Sequence, residues 1–133
     1  MDGVSYFKSE AKKLLRDFKT QKMDSDGIYA YSPKFFPDIY DIIVSFGIDE
    51  DHFTLMQAQH IIAYLAGFEK WSDLIHASDA ALELGELLLQ YRNHDYGPLH
   101  EMWRMYLYSS QLDDVTDESK LEIFKKVFLP QMS

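Results

Sequence analysis

Residues 54–78 read TLMQAQHIIAYLAGFEKWSDLIHAS, and this stretch decides the fold. Thr54 followed three residues later by Gln57 has the pattern of a capping box, in which each side chain satisfies the other residue's backbone N–H. Leu55, Ala58, Ile62 and Leu65, flanked by Ile61 and Ala66, then recur at the spacing of one helical face. Gly67 falls where a helix ends in a left-handed residue, a conformation glycine adopts without a Cβ penalty. Phe68 is placed to fold back on the last turn. A second short helix is expected over Glu69–Ala77, with Trp71, Leu74 and Ile75 on one face.

Outward from this unit the periodicity stays helical. Residues 4–21 form a first helix with the stripe Phe7, Ala11, Leu14, Leu15 and Phe18. Its other side carries Lys8, Lys12, Lys13, Arg16 and Lys19, read as a solvated basic face that pairs with acidic neighbours. Asp24–Gly27 has the look of a calcium loop, but Lys22 and Pro33 fall where such a loop needs oxygen ligands, so it reads as a turn. Residues 24–37 are an irregular aromatic loop holding Tyr29, Tyr31, Phe35 and Phe36, expected to lie across the core with a short extended piece. Ser32-Pro33 or Phe36-Pro37 opens the next helix, which bears Ile39, Ile42, Ile43 and Phe46 and stops at Gly47. Asp49, Glu50, Asp51 and His52 follow as a solvated connector rather than an ion site.

Beyond residue 78 a long helix over Asp79–Arg92 is apolar on most sides. Such a helix is either central or shared with a partner, which makes Leu82 and Leu89 candidate interface residues. A further helix, Leu99–Gln111, carries a wide band in which Met102, Met105 and Tyr108 are also interface candidates, because methionine and aromatic surfaces repack readily around partners. Thr116 or Asp117 caps a last helix bearing Leu121, Phe124, Val127 and Phe128, which Pro130 is expected to stop. The chain reads as one domain over 1–133: an all-α compact bundle of about six or seven helices.

The central motif resembles the small helical domain of bacterial glyoxalase-related proteins. The resemblance rests on Ala11, Lys12 and Leu14, then on Thr54, Gln57, Ala58, Ala63, Gly67, Phe68, Trp71 and Leu74, the two parts being split by an insertion. It covers under half the chain. It implies a helical fold and a bacterial source. It brings no catalytic residues, and nothing here resembles the separate metal-binding barrel of those proteins.

The net charge of -9 opposes phosphate backbones at long range, so neither nucleic acid nor an anionic membrane is an expected partner. The absence of cysteine excludes disulfides, thiol nucleophiles and cysteine metal sites. No apolar run is long enough to span a bilayer, and a cytoplasmic location is the expectation. His94, Asp95, His100 and Glu101 are the local histidine–carboxylate candidates for metal or catalysis. Their spacing is not that of a helical HExxH site, and they read instead as polar residues at an exposed helix junction. No catalytic residue, metal or cofactor is therefore assigned. The expected function is a protein–protein interaction or regulatory module that binds another protein or itself. The alternatives are a metal-dependent or small-molecule-binding enzyme using residues 94–101, and a helix-turn-helix regulator built on Ala63 and Gly67.

Overall fold

The computed structural model describes residues 3–93 and 98–132. Helix α1 (Gly3–Phe18) forms because Phe7, Ala11, Leu14 and Phe18 share one face, and all four are buried. Lys8, Lys12, Arg16 and Lys19 stay exposed, while Lys13 pairs with Glu10 at 3.3 Å. A two-stranded hairpin follows, β1 (Lys22–Met23) against β2 (Tyr29–Ala30), with Lys22 opposite Ala30. Its turn is closed by the Asp24 carboxylate, which accepts from the N–H groups of Asp26 and Ile28, and by Gly27 at φ +78°.

The aromatic loop after the hairpin lies across the core, as expected. Phe18 stacks on Phe53 with ring centroids 3.8 Å apart and meets Tyr31 edge-on. The loop is fixed by a residue with no obvious sequence signal. Asp17, only 1% exposed, accepts from the backbone N–H groups of Lys34, Phe35 and Phe36 at 2.9, 3.0 and 2.6 Å. A buried carboxylate is tolerated there because three amide donors replace its hydration.

Helix α2 (Ile39–Phe46) begins just after Pro37 and ends at Gly47, φ +57°. Helix α3 (Leu55–Leu65) has the anticipated capping box at Thr54 and Gln57. It closes with the paired bonds of a glycine C-cap: the Phe68 N–H donates to the Ala63 carbonyl at 2.9 Å and the Gly67 N–H to Tyr64 at 3.1 Å. Helix α4 (Trp71–Ile75) is shorter than its pattern implied. Leu74 is buried and Trp71 half-buried, but Ile75 is exposed, so those three residues do not form one buried face.

Helix α5 (Asp79–Gln90), capped by Ser78, explains its own width. Leu82 and Leu89 enter a core built with α1 to α4, while Leu84 and Leu88 enter a second core. The interface expectation for Leu82 and Leu89 is corrected accordingly: at 6% and 1% exposed they face interior neighbours. The second core joins α5 to α6 (Leu99–Ser109), α7 (Asp117–Val127) and α8 (Leu129–Met132). Trp103 meets Phe124 and Phe128 edge-on, each at 5.3 Å. Pro130 does not end the helical path; it lies in the first turn of α8, where a missing N–H costs nothing. The all-α architecture thus comprises eight helical segments and one small hairpin among the described residues.

Candidate functional site

An open groove of about 1000 Å³ runs between α2, α3, the end of α5 and the start of α6. Ile42 and Phe46 supply apolar wall from α2, and His60 and Tyr64 come from α3. Arg92 and Asn93 follow α5, and His100 and Glu101 open α6. Four segments distant in sequence therefore make one surface.

The groove's end at α2 is set by an ion pair. Arg92 Nε and Nη2 donate to the two oxygens of Asp38 at 2.9 and 3.0 Å. Both side chains are largely buried. Nη1 also donates to the Leu89 carbonyl at 2.8 Å, and the guanidinium covers the Phe36 ring. Each of the three guanidinium nitrogens is thus engaged, and the side chain holds the start of α2 to the end of α5.

The opposite wall is organised around Tyr64. Arg104 places its guanidinium carbon 4.0 Å from the Tyr64 ring centroid. Its Nη2 donates to the carbonyls of Tyr64 and Phe68 at 3.2 and 3.4 Å, at the C-terminus of α3, where a cation is favourable. His100 meets the same ring edge-on at 5.3 Å. It is 7% exposed, and burial first, then the Arg104 charge, pushes its pKa below the ordinary histidine value. The imidazole is consequently neutral at pH 7. Its Nε2 lies 4.0 Å from Glu101 Oε1, while its Nδ1 and Arg104 Nη1 are buried without hydrogen-bond partners among the described residues.

Of the histidine–carboxylate candidates, His94 and Asp95 lie outside the described residues. His100 and Glu101 do line the groove, together with His60 and Asp41, which sequence spacing alone could not associate with them. Among the described residues, no group of three or more histidine, aspartate or glutamate side chains converges to hold a metal ion. The connector at Asp49 to His52 is spent on structure. Glu50 accepts from Tyr31 Oη at 2.7 Å, Asp51 accepts from Tyr29 Oη, and Asp49 pairs with His52 at 2.9 Å.

Met105 and Tyr108 stand on the outer side of α6, 72% and 79% exposed, with Met102 half-buried beside them. They lie outside the main groove; Tyr108 instead borders a smaller hollow with Gln111 and Asp113. The motif residues Thr54, Gln57, Ala58, Ala63, Gly67, Phe68, Trp71 and Leu74 serve the α3–α4 junction, and only Tyr64 and Leu65 of that stretch, with His60, reach the groove. Asp38, Asp41, Arg92 and Arg104 were not singled out by the sequence. The one available signal was Arg104, a lone cation within an apolar aromatic helix. Compared with protein-family models, with curated proteins and with solved structures, the chain finds no match.

Proposed function

We propose that this chain is a non-catalytic interaction module of the bacterial cytoplasm, and that it recognises a partner protein through the groove between α2, α3 and α6. The observation that carries this reading is the groove itself. Its volume lies at the upper end of the roughly 300–1000 Å³ range of ligand sites, and it is open to solvent. Its ends are pre-organised by Asp38–Arg92 and by Arg104 on Tyr64, which lowers the ordering cost of binding. Among the described residues no helix is long and apolar enough to cross a membrane. The reading includes no nucleic-acid ligand: α4 is five residues long, and the cation Lys70 just before it is flanked by Glu69, with Asp73 on the helix itself.

The test is partner capture by wild type and by Ser45→Trp, which places an indole in the groove from an exposed position on α2. The partner is expected to be retained by wild type and by Met105→Lys, and lost with Ser45→Trp. Retention by Ser45→Trp would move the interface elsewhere, with Met105 and Tyr108 the next surface. A second reading has one observation in its favour: the groove gathers His60, Tyr64, His100 and Glu101. A metal-dependent or small-molecule-binding enzyme would use this set, and stoichiometric metal in the purified chain would favour it.

A further inference from the structure

We infer that the groove accepts a lysine or arginine side chain from the partner protein, its cationic head drawn by the exposed carboxylates Asp41 and Glu101 that line the groove and its stem against Phe46 and Tyr64. This rests on the groove being the recognition site.

Charge decides the sign of the ligand. Among the described residues, the groove lining holds three carboxylates, Asp38, Asp41 and Glu101, against the guanidinium of Arg92. Asp38 and Arg92 cancel each other in a bidentate pair. Asp41 and Glu101 remain exposed, so the groove keeps a net negative charge. The whole chain, at -9, reinforces that field at longer range. An anionic segment would meet repulsion in the groove and outside it.

The wall chemistry agrees. His100 is neutral and adds no competing positive charge. The positive charge of Arg104 is directed at the α3 carbonyls and the Tyr64 face rather than at the open groove, whose lining does not include it. Phe46 and Tyr64, edge-on at 5.8 Å, offer apolar surface to an aliphatic stem.

The test is an amide NMR titration of the full chain with three blocked hexapeptides that alternate leucine with lysine, with glutamate or with serine. The lysine peptide is expected to shift the amides of Ser45, Tyr64 and Glu101. Its affinity should fall about tenfold in Asp41→Asn/Glu101→Gln, and also on raising the salt, as for rim charges. Both substitutions are isosteric and exposed, so the fold should be retained. Equal binding of the serine or glutamate peptide at the same amides would overturn the charge preference and leave the groove as the recognition site. No response to any peptide would overturn both readings. Groove shifts that appear on concentrating the chain alone, and vanish in Lys12→Glu/Arg16→Glu, would replace the partner side chain by the basic face of α1 from a second copy.

Discussion

Three residues carry the sharpest expectations. Gly67 has φ +93°, and a Cβ there would lie 2.9 Å from Leu88 Cδ1. Left-handed strain of about 1–2 kcal/mol is expected for Gly67→Ala, read as a lower urea midpoint; an unchanged midpoint would refute it. Trp71→Ala should cost less than the about 3–5 kcal/mol of a fully buried tryptophan, because the ring is only half-buried. His100 makes stability depend on pH. Its folded pKa is lowered, so the unfolded chain binds more protons below about 6.5. Its contribution is complete above that value and is lost progressively as pH falls toward the folded pKa. His52, raised by its bond to Asp49, acts in the opposite sense. Urea denaturation of wild type and His100→Gln between pH 7.5 and 5, taken as about the range of histidine titration, should show a shallower acid-side loss in the variant.

At the scale of elements, what was legible in the sequence was what is local. The Thr54–Gln57 box, the Gly67 cap and the Thr116 cap each lie within a few residues of the helix they limit, and each formed as expected. Thr54→Ala should therefore cost about 1 kcal/mol, measurable by thermal denaturation. The groove was not legible because its charged residues lie 54 positions apart, as in Asp38 and Arg92, and no period connects them. Arg92→Met leaves Asp38 largely buried without its partner, and a loss of about 3–5 kcal/mol is expected. A double-mutant cycle with Asp38→Asn would show whether the loss comes from the pair. The breadth of α5 was visible in the sequence, but burial of Leu82 and Leu89 in one core and Leu84 and Leu88 in another needed the tertiary structure. Met105 and Tyr108 kept the exposure that the α6 band allowed.

For the whole molecule, α5 makes the two apolar clusters interdependent. Trp71 packs against one and Trp103 belongs to the other, so each indole reports a different cluster. Single-tryptophan variants Trp71→Phe and Trp103→Phe should show fluorescence transitions that coincide in urea, because neither cluster keeps its wall without α5. Separated transitions would mean that the α6–α8 part melts by itself. The groove draws α2 and α3 from one cluster and α6 from the other, and ligand binding there should raise both transitions together.

The Asp17 bonds to residues 34–36 also fix chain topology. They tie the end of α1 to the far side of the hairpin and so close the intervening chain into a ring. Closing such a ring costs loop entropy each time the chain folds, a cost that a covalent cross-link would already have removed from the unfolded chain. In a chain without cysteine this tie has no redox chemistry. It opens and closes with the fold, at the rate of hydrogen bonds rather than of thiol exchange, and it is indifferent to reductants.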